Sequence, residues 1–175
     1  MGVLVLILAV LPLAGGYNMY LMRAESPGPT VGKLVPRVKH TARILYEMYI
    51  FMTVVQIILL LITGMSLFDS MTLAFGTAGT GGFGVLNSSI GSYSVASQAV
   101  ITVFMILFGI NFNVYYLIRI RKPQQAFRHE EMRYYLGIIL AAVLLITVNI
   151  RGSFQSLLEA FHHAAFQVAS IITTT

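Results

Sequence analysis

Between residues 70 and 118 the chain runs for 49 residues without a charged side chain. A bilayer core takes about 20 helical residues, so this run is too long for one span and slightly long for two joined by a short turn. Residues 1–22, 48–68 and 134–150 are also uncharged and apolar. The stretch 48–68 would reach about 31 Å as a helix. Of the 175 residues 57% are apolar and 10% charged, against roughly 25% charged in a soluble domain. A helix that is apolar all round belongs in lipid or in a large core, and a chain of this size has no such core. The sequence therefore reads as an all-α integral membrane protein. A soluble enzyme, a free nucleic-acid binder and a disordered protein are excluded as leading readings. With no cysteine, disulfides, zinc–thiolate sites and thiol catalysis are excluded within these residues.

The charge that remains is organised. Arg23, Lys33, Arg37, Lys39 and Arg43 fall between the first and second spans, and Arg119, Arg121, Lys122, Arg128 and Arg133 between the third and fourth. Those are ten of the eleven basic residues. Both clusters share one side if the spans alternate, and the positive-inside rule makes that side cytoplasmic. The net charge of +5 is then a topology signal and not a nucleic-acid footprint. The polar, uncharged connection 85–97 suits the outer face. The first span has no basic residue before it, so it reads as a membrane helix whose beginning is missing and not as a secretory signal; both ends of the chain look cut.

Within the long uncharged run, Gly76, Gly79, Gly81, Gly82 and Gly84 crowd into nine positions. Such backbone is tolerated at membrane depth only where protein buries it or where it lines a watery cavity. The expectation is a re-entrant hairpin: a short helix over 70–76 with Asp69 as its N-cap, then an extended return through 77–84. The carboxyl end of that helix would favour a cation. Gly79, Thr80, Gly81 and Gly82 could turn their carbonyl oxygens to a common axis, as in potassium filters, and Phe83 would wedge that backbone against surrounding helices. A small-residue packing face or a plain external loop remains open on composition alone. The octamer pattern Phe-x-Ser-x-x-x-Ala-Phe occurs at 68–75 and again at 154–161, each after an apolar span and before a Thr-rich tract, in imperfect register. The repeated order implies span–pore-loop–span units.

Other polar residues read more plainly. Asn111 and Gln56 fall mid-span, where an amide needs a partner, and interhelical hydrogen bonding near the pore helix is the favoured role. His162 and His163 are adjacent, about 100° apart on a helix, and suit a pore-helix surface better than a metal. No nucleophile–base set assembles, and the glycine stretch lacks the Lys-Ser/Thr ending of a nucleotide loop. No enzymatic activity and no bound cofactor are expected.

The residues in order resemble the Trk/Ktr/HKT superfamily of potassium transporters, specifically its bacterial Trk-type translocating subunit. Ala24-Glu25-Ser26-Pro27-Gly28-Pro29 with Lys33-Leu34 and Pro36-Arg37 resembles the linker after the first unit. Gly64-Met65, Phe68-Asp69 and Ala74-Phe75, leading into Thr80-Gly81-Gly82-Phe83, resemble the second pore helix and filter. Gly109-Ile110-Asn111-Phe112 resembles the following helix, Glu131-Met132-Arg133-Tyr134 the entry to the third unit, and Phe166-Gln167-Val168-Ala169-Ser170 with Thr173-Thr174-Thr175 the third pore helix and filter. Gly84 departs from the polar residue more usual there.

The resemblance implies four span–pore–span units around one pore, with this chain holding two partial units and one complete one. These are the last span of the first unit (1–22), a cytoplasmic basic linker with an interfacial helix starting after Pro36 (23–47) and the second unit (48–118, filter at 77–84). A cytoplasmic basic loop (119–133) and the third unit as far as its filter (134–175) follow. It implies the pore-forming subunit of a potassium uptake system in the cell inner membrane, conducting K+ under the membrane potential. Gly79, Thr80, Gly81, Gly82, Thr174 and Thr175 would hold the ion, with Asp69, Phe83 and Asn111 in support. The implied partners are the bilayer, the missing remainder of the same subunit, a second copy in a homodimer and a cytosolic nucleotide-binding regulatory subunit, with no nucleic acid. The alternatives are a secondary transporter of another solute built on a glycine-broken helix, and a non-conducting membrane scaffold.

Overall fold

The computed structural model describes residues 38–119, 124, 129–154 and 156–175. The span expected at 1–22, most of the linker and most of the basic loop lie outside the described residues. Every regular element among the described residues is helical: α1 (Val38–Ile62), α2 (Leu67–Ala78), a 3-10 turn (Ser89–Ser92), α3 (Val95–Phe108), α4 (Phe112–Arg119), α5 (Glu130–Ile150), a second 3-10 turn (Arg151–Ser153) and α6 (Leu157–Thr173).

The longest helices follow from composition. Residues 38–62 contain neither glycine nor proline, so nothing interrupts α1. It runs through position 48, where a boundary between interfacial helix and span was expected. The stretch Glu130–Ser153, whose most apolar 18 residues have a mean hydropathy of 1.9, is long and apolar enough to cross a bilayer. Along α5 only a narrow stripe spaced by four, Ile139, Val143 and Thr147, is buried. Leu140, Leu144, Leu145 and Val148 on the other faces are exposed. In water that exposure would be a large apolar patch; in lipid it costs nothing.

The chain divides into two compact units. Among the described residues the first comprises 38–52 with 111–119, 124 and 129–131. In it Val114 of α4 is buried, and Asn111 Nδ2 donates to Glu131 Oε2 at 3.0 Å. Asn111 was expected in the middle of a span, bonding near the pore helix. It stands instead in the gap before α4, and its partner is a carboxylate in the first turn of α5.

The second unit comprises Thr53–Ile110 with Met132–Thr175. Helix α3 packs against both α2 and α6. One core joins Leu60 of α1, Leu73 of α2, Ile101 and Met105 of α3 and Ala169 of α6, with Met65 from the turn after α1. A second joins Ile139 and Val143 of α5 to Ala164 and Val168 of α6. The interhelical bond expected for Gln56 is absent among the described residues: its amide is fully buried with neither atom paired.

The continuous span expected to reach residue 118 is broken. Helix α3 stops at Phe108, and its 14 residues rise only about 21 Å. The break has a steric cause at Gly109, whose N–H closes the last turn on Met105 O at 3.1 Å. A Cβ there would fall 2.2 Å from the Tyr135 hydroxyl oxygen and 3.0 Å from Thr173 Cγ2. The Tyr135 hydroxyl occupies that space because it donates to Ile106 O at 3.2 Å. Gly109→Ala should therefore destabilise the protein by about 1–3 kcal/mol through overpacking. Adding Tyr135→Phe should restore part of the loss, and thermal melts of the detergent-solubilised protein check both.

Candidate functional site

The site is built from the ends of two helices. Helix α2 starts at Ser66, in extended backbone (φ −62°, ψ 152°), whose side chain accepts from Asp69 N–H at 3.1 Å. Asp69 is thus the third helical residue and not the N-cap expected from the sequence. The hydroxyl of Ser66 reaches the orphan N–H, and the Asp69 carboxylate faces the positive end of the helix. The carboxylate also acts on Tyr93 in the connection: desolvation raises the phenol above its ordinary pKa, and Asp69 raises it further.

The far end of α2 closes in a Schellman motif. Thr80 sits in the left-handed region (φ 50°). Gly81 N–H donates to Gly76 O at 2.8 Å and Thr80 N–H to Thr77 O at 3.2 Å, the six-to-one and five-to-two bonds of that motif. Gly79 N–H donates to Phe75 O at 2.9 Å. Helix α6 ends the same way. Thr174 is left-handed (φ 56°, ψ 36°), Thr175 N–H donates to Ser170 O at 3.0 Å and Thr174 N–H to Ile171 O at 3.4 Å.

The two helix ends superpose Thr80 on Thr174, an offset of 94 (174 − 80). The octamer repeat seen in the sequence has an offset of 86 (154 − 68), so it is not the structural repeat. Phe68 lies inside α2, whereas Phe154 lies in extended backbone before α6 begins.

These ends meet backbone to backbone. Gly82 is left-handed (φ 68°), and a Cβ on it would lie 3.1 Å from the Thr175 carbonyl carbon and 3.7 Å from its Cα. Any other residue there would be strained and would push the two segments apart. Phe83, expected to wedge that backbone against surrounding helices, has its ring over Gly81, close enough that a Cβ there would meet it at 3.0 Å, and is 79% exposed among the described residues. Behind the junction a cavity of about 150 Å³ is lined by Leu73, Thr77, Gly82, Met105, Phe166 and Thr175, among others.

The hydrogen bonding at the end of α2 is one-sided as far as Gly81. The N–H groups of Gly79, Thr80 and Gly81 all turn back into α2. The carbonyl oxygens of Gly79, Thr80, Gly81 and Gly82 accept no hydrogen bond among the described residues. Neither α2 nor α6 carries a basic residue in its last turn, so two partially negative helix ends adjoin without compensation. Free carbonyl oxygens at such a place are hard ligands for a cation. Among the described residues no group of three or more His, Cys, Asp or Glu could hold a metal.

Of the sequence-derived candidates, Gly79, Thr80, Gly81, Gly82, Phe83, Thr174 and Thr175 come together. Asn111 belongs to the first unit. Gln98 went unnoticed in the sequence. Its Nε2 donates to Tyr93 O at 3.0 Å and Ile90 O at 3.3 Å, and its Oε1 meets His162 Nε2 at 3.0 Å. His163, for its part, stacks on Phe154 at 5.0 Å. An amide in the first turn of an apolar helix was the available signal.

A family model described as a cation transport protein, TrkH, matches residues 1–154. The chain belongs to the TrkH family. It is 34% identical over 179 residues to the Trk system potassium uptake protein TrkH of Salmonella typhimurium, covering 99% of this chain and 37% of that protein. It is 32% identical over 177 residues to TrkG of Escherichia coli K12, likewise named a Trk system potassium uptake protein. The crystal structure of the potassium transporter TrkH from Vibrio parahaemolyticus matches with a TM-score of 0.76 at 26% identity, covering 97% of this chain and 34% of that one. The chain thus spans little more than a third of the relatives it matches. The family consists of membrane ion transporters and not enzymes, and the helical architecture seen here is that of its solved member.

The capping geometry gives one check on the site. Ser66→Ala should cost about 1 kcal/mol, the usual value of an N-cap hydroxyl. The loss should appear as faster amide exchange over the first turn of α2, with the turn at Thr80–Gly81 unchanged.

Proposed function

We propose that this chain forms part of the pore of a potassium uptake transporter, and that its two left-handed helix ends are two of four loops that coordinate dehydrated K+. The observation that carries the reading is the split of the backbone at the first end. The N–H groups of Gly79–Gly81 are bonded into α2 while the carbonyls of Gly79–Gly82 are left free. Carbonyl oxygens in that state can replace an ion's hydration shell without first breaking a protein hydrogen bond. The adjacent end at Thr174 and Thr175 supplies the next position around the axis. The names of the relatives support K+ as the cargo.

In this reading α2 and α6 are pore helices of successive span–pore–span units. Phe83 packs against a segment beyond the described residues, and Asp69 anchors the outer start of the first pore helix. The basic segments 23–47 and 119–133 face the cytoplasm of an inner-membrane, multi-pass protein. The membrane potential drives uptake, supplying about 2.3 kcal/mol per charge per 100 mV. The working assembly is a homodimer with a cytosolic nucleotide-binding regulator.

Gly82→Asp tests the reading in a strain lacking its own potassium uptake systems, with the full-length protein expressed. The substitution adds a left-handed strain of about 1–2 kcal/mol and places a side chain against Thr175. Potassium uptake should fall at least tenfold at unchanged membrane abundance. Uptake equal to the parent's would sink the assignment of this segment.

A further inference from the structure

We propose that Gln98 and His162 are positioning residues which fix the height of the second loop, Thr174–Thr175, against Gly82; the proposal rests on the pore reading above. The contact between α3 and α6 is otherwise built on small and apolar groups. Ala160, Ala164 and Ala169 are buried on α6; Ala169 shares a cluster with Ile101 and Met105 of α3, and Ile106 packs against the cluster that holds Ala164. An alanine-rich face sets how close two helices come but resists sliding along the axis only weakly. At the Gly82–Thr175 junction the backbones leave no room for such sliding, since even a Cβ would stand 3.1 Å away.

The Gln98 amide supplies the missing direction. Its NH2 gives one hydrogen bond to Tyr93 O and another to Ile90 O, which fixes which end of the amide points where. Oε1 therefore faces His162 and accepts, so the imidazole donates from Nε2 and, when neutral, carries no proton on Nδ1. One residue earlier on α3, Ser97 is fully buried and its Oγ lies 2.8 Å from both Thr63 Oγ1 and Ser94 Oγ. The start of α3 thus ties together the end of α1, the connection 90–93 and α6. His162 stands twelve residues before Thr174, about 18 Å along the helix, so a shift permitted at one end is delivered to the other.

The test uses the full-length protein in liposomes, comparing K+ and Na+ uptake by the parent, Gln98→Ala, His162→Ala, their double variant and His162→Gln. Each alanine variant should lower K+/Na+ discrimination about tenfold, the scale of one part-buried hydrogen bond. The double variant should be no worse than either single one, because both remove the same bond. His162→Gln, which keeps an N–H donor, should restore discrimination to within about twofold of the parent. Unchanged discrimination in His162→Ala, or additive losses in the double variant, would overturn the pairing. A parent that takes up no potassium would overturn the pore reading first, a distinguishable failure. Nitrogen-15 spectra of the parent give a readout free of folding effects. They should show neutral His162 protonated on Nε2, and the opposite tautomer would contradict the proposal.

Discussion

In a bilayer the backbone has no water to bond to, and every N–H and C=O that leaves a helix must find a partner in the protein or face a polar path. The rest of this structure depends on how two helices meet that constraint. Both α2 and α6 turn their last N–H groups back through the same pair of bonds, with a threonine in the left-handed region. At the α2 end the N–H groups of Gly79, Thr80 and Gly81 are satisfied, while the carbonyls of Gly79–Gly82 accept no bond among the described residues. Among the described residues no acidic cluster stands at this junction; in the proposed pore, carbonyl dipoles would attract a cation without a net charge that holds it too tightly to leave.

Small residues permit that arrangement. Gly82 lets the first loop touch the second, and Ala74, Ala160, Ala164 and Ala169 let the helices approach closely enough to bring the loops together. Gly109 acts in the same way on α3, admitting the Tyr135 hydroxyl to the Ile106 carbonyl and ending the helix where it does so. A hydroxyl takes the place a methyl would occupy, and a helix expected to cross the bilayer in one piece becomes two.

What the sequence disclosed, and what it withheld, divides along physical lines. Helical class and the glycine-rich loop were legible because charge spacing and glycine density are one-dimensional properties, and lipid acts on them directly. The family resemblance, carried by residues such as Thr80-Gly81-Gly82-Phe83 and Glu131-Met132-Arg133-Tyr134, is upheld by the match over residues 1–154. The finer features depended on who meets whom. Asp69 reads as a cap until Ser66 is seen in extended backbone three residues earlier. Asn111 reads as a mid-span amide until Gly109 is found against Tyr135. The octamer Phe68–Phe75 and Phe154–Phe161 matches in letters but not in structure, because α6 has 17 residues to the 12 of α2. The helix ends, and not the helix beginnings, are what repeat. Gln98 and His162 are 64 positions apart, and no local pattern joins them.

The central claim is that unpaired backbone oxygens hold the ion, and anomalous scattering from Rb+ or Tl+ soaked into crystals of the full-length protein tests it most directly. The account expects a peak on the axis beside the carbonyl oxygens of Gly79, Thr80, Gly81 and Gly82, with Thr174 and Thr175 adjoining it. A peak held instead by side-chain groups away from this junction, or no peak beside these carbonyls when the ion saturates transport, would contradict it.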